Sequence, residues 1–263
     1  MELPVCEFHK VSLLITHYNR SRSLERLLQS FENIQCSFGE IIVSDDGSKP
    51  EHLAYIEKLQ NQFNFTLVTT PVNKGLGNNI NKGQDAVTLP YTLYVQEDFE
   101  PSTEFPQCFK NSLDIIQERP DLDIIRFYAY FDYPYARSYR NGFTEMVFHS
   151  SPLYFNHLKF YVYSDHPHLR RSNFLQKFGR YPEGVKGDET EYRMAVSFIK
   201  KKGRGLLYKD YTQIFYQKNS SAEPSTMNRS EWRSSNNAFI LFVRAIYLKF
   251  KLLKWTFDLA FMK

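Results

Sequence analysis

Three strand-length apolar runs, each followed by polar residues and then by a helical pattern, leave this chain few folds to choose from. Val11 to Thr16, Ile41 to Val43 and Phe65 to Thr69 read as strands covered on both faces. Between the first two, a helix is expected from about Ser21, with Leu24, Leu27, Leu28 and Phe31 on one face. Between the second and third, a helix running to about Gln60 turns Leu53, Ile56 and Leu59 inward. Such a β-α-β-α-β series implies a parallel sheet with helices on its faces. In sheets of this kind ligands bind outside the carboxyl ends of the strands. The polar residues at those ends are therefore the candidates for function.

Asp45 and Asp46 follow the second run, and Gly47 allows a sharp turn. Ser48 and Glu51 have the spacing of a capping box, with Pro50 in the first turn of the helix. An Asp-Gly turn alone is ordinary. The third run ends in a loop from Pro71 to Asn78 that opens another helix. Gly75 and Gly77 would let backbone N–H groups approach an anion, and Lys74 or Lys82 would add charge. A fourth strand, Tyr91 to Val95, runs into Gln96-Glu97-Asp98-Phe99-Glu100-Pro101. Hard divalent cations take carboxylate oxygens together with phosphate oxygens. One acidic turn is more often simply solvated. Two carboxylate clusters and a glycine loop on one sheet edge favour a site.

The net charge of +4 suits an anionic small ligand or an anionic membrane surface and excludes a dedicated nucleic-acid binder. The basic residues are dispersed except at Lys200-Lys201-Lys202 and Arg204. Cys6, Cys36 and Cys108 are few and widely spaced, which suggests a reducing compartment with neither a disulfide framework nor a zinc site. The first apolar run is too short for a signal peptide, and no run reaches the length of a spanning helix.

Further along, 105–117 reads as a helix and Asp123 to Tyr130 as a strand. From Ser150 to Tyr181 the chain is dense in aromatics, His and Arg, including Tyr161, Tyr163, His166, His168, Arg170 and Arg171. Such a stretch suits a cleft for a ligand with apolar faces; an aromatic core with a basic rim fits equally. His166 or His168 could ligate a metal, although loop histidines are more often structural. Gly187 to Glu191 precedes a helix expected from Tyr192 to Lys202. A carboxylate there could serve as a general base, and it could also complement the helix dipole. The tail, 236–263, is helical with two apolar stripes. Phe239, Phe242, Ile246, Phe250, Leu253 and Phe257 form one; Leu241, Ala245, Leu248, Leu252, Trp255 and Leu259 form the other, on the opposite side. Such a helix would lie between the domain and an anionic bilayer, or against a partner subunit.

Thr16-His17-Tyr18-Asn19-Arg20, Ser44-Asp45-Asp46-Gly47-Ser48, the segment from Asn73 to Asn81 and Gln96-Glu97-Asp98 occur in that order at suitable spacing. Together they resemble the donor half of a family 2 glycosyltransferase with the GT-A fold, of the bacterial polysaccharide type, closely over residues 10–105 and more loosely beyond. The resemblance implies a mostly parallel, Rossmann-like α/β sheet flanked by helices. Residues 1–235 would form the GT-A domain, with a donor half (10–105) and an acceptor half (106–235), and 236–263 an amphipathic helix. Thr16, Tyr18 and Arg20 would line the base and ribose pocket; Asp45 would face the base, most often uracil, with Asp46 close by. Asn73, Gly75 and Gly77 would border the ribose and phosphates, with Asn81 and Lys82 beside them. Asp98 would be the metal-binding member of an Asp-x-Asp element whose first acid is here Gln96, so that either Glu97 takes the missing role or metal binding is weaker. Asp188 and Glu189 resemble the family's acidic pair in inverted order; by position Glu189 would be the base and Asp188 its neighbour.

The activity so implied is inverting hexosyl transfer from a UDP-sugar to a glycan or lipid-linked hydroxyl in polysaccharide biosynthesis. It would use Mn²⁺ or Mg²⁺, on the cytoplasmic face of the cell membrane, with no nucleic-acid partner. A nucleotidyltransferase is a near rival. The alternative from another class is a non-catalytic nucleotide-sugar-binding or scaffold protein of the same fold, for which Gln96 and the Asp188-Glu189 order argue.

Overall fold

The computed structural model describes residues 5–151, 153–219, 223 and 237–261. The chain opens with β1 (Cys6–His17), α1 (Ser21–Asn33), β2 (Cys36–Asp45), α2 (Pro50–Phe63), β3 (Thr66–Val68), α3 (Leu76–Asp85) and β4 (Tyr91–Gln96). β1 lies between β2 and β4, with β3 outside β2, all parallel. The alternation along these strands explains their continuous apolar character. Leu13 and Ile15 of β1, Val43 of β2 and Leu93 and Val95 of β4 face one core; Leu14, Ile42 and Tyr94 face another. The first core takes Leu24, Leu27, Leu28 and Phe31 of α1 and Ile56, Leu59 and Phe63 of α2. Truncating one of these leucines to alanine costs about 2–5 kcal/mol.

The second half adds β5 (Phe99–Pro101), α4 (Phe105–Glu118), β6 (Ile124–Arg126), β7 (Ala136–Ser138), β8 (Phe143–Met146) and β9 (His168–Arg171). It continues with α5 (Phe174–Phe178), α6 (Gly187–Lys200), β10 (Gly205–Tyr208), β11 (Phe215–Gln217) and α7 (Ala238–Phe261). The main sheet has the order β3-β2-β1-β4-β9-β6-β10-β8-β7, in which β9 and β8 run against the others. β5 and β11 pair separately. α3, α5 and α6 cover the second face through Ile80, Phe174, Phe178, Met194 and Phe198.

The elements differ from the sequence reading mainly at their ends. β1 and β2 start earlier, because Cys6 to Phe8 pair with Cys36 to Phe38 before a register shift that precedes Ser12. The strand expected from Asp123 to Tyr130 is only Ile124–Arg126, and Phe127 N–H already donates to Pro167 O. α6 begins at Gly187, so the acidic residues lie within its first turns. The capping box does not form: α2 has Lys49 at its N-cap with no side-chain cap. Ser48 Oγ instead donates to Asp45. For the tail helix, 236 and 262–263 lie outside the described residues.

α7 packs by one side. Leu252 and Trp255 are buried against Phe160, with Tyr161, Tyr192 and Leu259 around them. The opposite stripe, from Phe242 through Phe250 and Phe257 to Phe261, is exposed. The first turns of the inner stripe are exposed as well: Leu241 lies beyond the part of the helix that meets the domain. No helix among the described residues is long and apolar enough to cross a membrane.

Candidate active site

The order β2-β1-β4 brings the polar ends of three strands side by side. At the end of β1, Thr16 Oγ1 lies 2.9 Å from Tyr94 Oη of β4. His17 Nδ1 lies 2.8 Å from Asp45 Oδ1 of β2, both side chains fully enclosed. His17 Nε2 accepts the Arg20 N–H at 3.1 Å, which puts the ring proton on Nδ1, donating to Asp45. Burial lowers the His17 pKa against the pull of Asp45. Asp45 also accepts from Ser48 N, Ser48 Oγ and Thr69 Oγ1. Burial would raise its carboxyl, but the hydrogen bonds from His17 and Ser48 outweigh it and hold the group at about 2. Asp45 is thus an internal anion that ties β1, β2 and the end of β3 together.

Asp46 fixes the glycine loop. Its two oxygens accept Lys74 N at 2.9 Å and Gly75 N at 2.8 Å, and Asn73 Oδ1 accepts Gly75 N as well. Burial raises the Asp46 pKa despite these bonds. Gly75 has φ +88, where other L-residues are strained. Gly77 serves packing: a Cβ there would stand 2.1 Å from Pro182 O. Asn81 is buried and staples α3 to the chain before α6 through Tyr181 N, Tyr181 O and Glu183. Lys82 Nζ donates to Asp45 O, and burial lowers its pKa. Tyr18 is half-buried and Asn73 exposed, so both present side chain to solvent at this rim.

Arg20 joins the two halves of the strand-end cluster. Its Nη1 lies 3.3 Å from Asp98 Oδ2 and 3.6 Å from Glu97 Oε1, just beyond the end of β4. Its Nη2 donates to Asn219 Oδ1 at 2.6 Å and Glu223 O at 3.2 Å. Burial, then the charge of Asp98, push the Glu97 carboxyl up to about 8. Asp98 Oδ2 also accepts from Gln217 Nε2 at 2.9 Å, while Asp98 Oδ1 is buried with no partner. That open oxygen, beside a second carboxyl, fits one coordination position of a hard cation. Among the described residues no three His, Cys, Asp or Glu side chains gather into a fuller set. A dication here would complete its shell with ligand oxygens, as Mg²⁺ does with phosphates.

The second half contributes from α6 and the segment before β9. Gln96 Nε2 lies 3.3 Å from Asp165 Oδ2. Asp165 is buried beside Glu191 and Arg126, and burial and the Glu191 charge push its carboxyl well up. Asp188 and Glu189 are exposed on the first turn of α6, and Glu189 pairs with Arg193 one turn on. That turn sits against the glycine loop: Val185 O and Leu76 are the nearest neighbours across it. The aromatic stretch divides in two. Tyr163, His168 and Arg170 are buried core, and Arg171 donates to carbonyls at the end of α4 and beyond it. Tyr161 packs against Trp255 of α7, and His166 reaches the rim, packed edge-on against Phe99, Tyr128 and Tyr130. Tyr130 Oη donates to Gln217, which in turn donates to Asp98.

The sequence reading passed over His17, Asp165, Gln217 and Glu223. His17 lay inside a stretch already singled out, and Asp165 directly precedes the His-Pro-His run. Gln217 and Glu223 carry no local signal, since only the pairing of β11 with β5 brings that part of the chain to Asp98.

The chain matches the family model described as glycosyl transferase family 2 over residues 12–179. It is 27% identical over 123 residues to the cholesterol galactosyltransferase of Borreliella burgdorferi, covering 47% of this chain and 34% of that protein. It is 27% identical over 88 residues to the poly-beta-1,6-N-acetyl-D-glucosamine synthase of Staphylococcus epidermidis, covering 34% of this chain and 21% of that protein. The matched region thus spans about a third or less of these relatives. Among solved structures, S. aureus TarS 1-349 in complex with UDP-GlcNAc aligns with a TM-score of 0.62 at 19% identity, over 90% of this chain and 66% of that one. The mannosyltransferase PcManGT from Pyrobaculum calidifontis, in complex with GDP-Man and Mn²⁺, aligns with a TM-score of 0.54 at 13% identity, over 100% of this chain and 74% of that one. These structural likenesses concern the fold. With a family match over more than half its length and the strand-end geometry above, the chain belongs to glycosyl transferase family 2 and has the GT-A fold.

Proposed function

We propose that this chain transfers a hexosyl group from a UDP-sugar to a hydroxyl of a glycan or lipid-linked acceptor, with inversion at the anomeric carbon. The observation that carries the reading is Asp98, a buried carboxylate at the end of β4 with one oxygen unpartnered and the other on Arg20. Residues 1–235 are assigned to the transferase, with donor half 10–105 and acceptor half 106–235, and 236–263 to an appended helix. The relatives named for galactosyl and N-acetylglucosamine polymer chemistry support a sugar donor and a lipid or glycan acceptor.

In this reading the half-buried Tyr18, with Thr16 and Asp45 behind it, bounds the base. The Asn73–Gly77 loop, pinned by Asp46, borders the ribose and diphosphate, with Lys82 and Asn81 behind it. A divalent cation, held by Asp98 with Glu97 beside it, would offset charge on the departing diphosphate. Arg20 supplies a fixed positive charge on the same side. Glu189, with Asp188 as its neighbour, takes the proton of the attacking acceptor hydroxyl. As the new glycosidic bond forms, the bond from C1 to the diphosphate oxygen breaks and its electron pair leaves with UDP. A lipid-linked acceptor places the reaction at the cytoplasmic membrane surface, with α7 as the contact.

The test is release of UDP from UDP-sugars in the presence of Mn²⁺. Turnover should fall at least about 100-fold in Asp98→Ala and in Glu189→Gln, in the range of lost charge stabilisation and lost general base. Nucleotide binding without turnover in the wild type would instead support the binding-protein alternative.

A further inference from the structure

The outward face of α7 is an apolar strip on a helix whose other side is already packed. Phe250, Phe257 and Phe261 are 66%, 62% and 68% exposed, with Phe242, Ile246 and Leu253 on the same side. Helical periodicity puts Lys249 along one edge of this strip and Lys254 along the other. Across α7 there are four cations, Arg244, Lys249, Lys251 and Lys254, against one carboxylate, Asp258, which pairs with Lys254, so the helix carries a net excess of three positive charges.

A second apolar element stands beside it. Leu153 and Phe155 are exposed at 77% and 61%. Their loop is built rather than loose: His149 stacks on Tyr154 at 3.8 Å, and Tyr135 packs edge-on against both. Asn156 N–H donates to Tyr135 Oη at 3.2 Å. Lys249 Nζ lies 5.6 Å from the Phe155 ring, so the loop and the helix are neighbours.

We infer that the outer strip of α7 and the Leu153–Phe155 loop form one two-part docking face for an anionic lipid bilayer. This deepens the peripheral membrane contact proposed above by naming a second inserting element. The occupant follows from the chemistry. Large rings point outward while the lysines beside them can reach headgroups, as amphipathic interfacial helices require. The excess of cations selects anionic lipid over neutral.

The test is cosedimentation of the full chain with vesicles of phosphatidylcholine alone and of phosphatidylcholine mixed with phosphatidylglycerol. Strong partition onto the mixed vesicles, weakened by salt, is expected. Phe250→Ser with Phe257→Ser should lower partition about tenfold or more, and Phe155→Ser should lower it separately. Lys249→Gln should lower partition about fivefold on mixed vesicles and little on neutral ones. All of these side chains are exposed, and thermal unfolding checks that each variant folds. Wild-type protein that ignores the mixed vesicles would overturn the proposal. A concentration-dependent dimer that vesicles do not dissociate and Phe250→Ser breaks would also overturn it, assigning the face to a second copy. UDP binding, measured separately, reports on the donor site, so a failed vesicle result with UDP binding retained counts against the docking face alone.

Discussion

Arg20, in the loop after β1, holds Nη1 3.3 Å from Asp98 Oδ2, at the end of β4. Both side chains are nearly enclosed, at 5% and 6% exposed. The contact joins a residue proposed for the donor pocket to the one proposed for the metal, and it sets a permanent cation beside the Asp98 carboxylate. Removing one partner of a buried pair leaves the other charge uncompensated, which costs about 3–5 kcal/mol. Arg20→Met is therefore expected to lower stability by about 3 kcal/mol in urea unfolding. Added Mn²⁺ should restore part of the loss, because it would replace the missing charge beside Asp98.

Glu97 gives a pH signature. Its carboxyl is raised to about 8, first by burial and then by the Asp98 charge. An acid raised in the folded state contributes fully below its unfolded pKa, and that contribution is lost as pH rises through the folded value. Wild-type stability should fall between about pH 4.5 and pH 8 through this group, with no further loss from it above. Glu97→Gln should flatten that limb in unfolding measured across pH.

Asp45 acts in the opposite direction. Held at about 2, it adds stability above the unfolded carboxylate value that is lost as pH falls from about 4 to about 2. His17, lowered by burial, adds a loss that begins below about pH 6.5. Asp45→Asn should remove the steepest part of the acid limb and lower the plateau, as seen by unfolding at pH 7 against pH 3.

The glycine loop separates strain from packing. Gly75→Ala places a side chain at φ +88, in ordinary contact with Val185 O at 3.6 Å, and is expected to cost about 1–2 kcal/mol through the backbone. Gly77→Ala drives a Cβ to within 2.1 Å of Pro182 O and should cost more, about 2–3 kcal/mol, by pushing α3 from the chain before α6. Thermal unfolding of the two variants, side by side, checks the order.

The donor half was largely legible because its signals are local. Leu24, Leu27, Leu28 and Phe31 recur at helical spacing, and all four are buried. The four strand ends carry their polar residues in sequence, and the sheet order β3-β2-β1-β4 sets all four side by side. What was not legible depends on partners distant in the chain. Ser48 has the spacing of a cap, yet its hydroxyl turns to Asp45, whose other partners come from β1 and the end of β3. Gln217 reaches Asp98 across 119 positions. Glu223 accepts Arg22 N, Ser23 N and Ser23 Oγ, closing the first turn of α1 from about 200 residues away. Spacing rules cannot detect contacts of this kind.

The measurement that tests the central claim most directly is thermal unfolding with UDP, GDP, CDP or ADP, each with and without Mn²⁺. A ligand at 100 times its dissociation constant adds about 2.7 kcal/mol to the folded state. The account predicts a shift with UDP that grows with Mn²⁺ and is lost in Asp98→Ala. A UDP shift indifferent to Mn²⁺ and to Asp98→Ala would remove Asp98 from its proposed role. No shift with any of the four nucleotides would contradict a donor site at these strand ends.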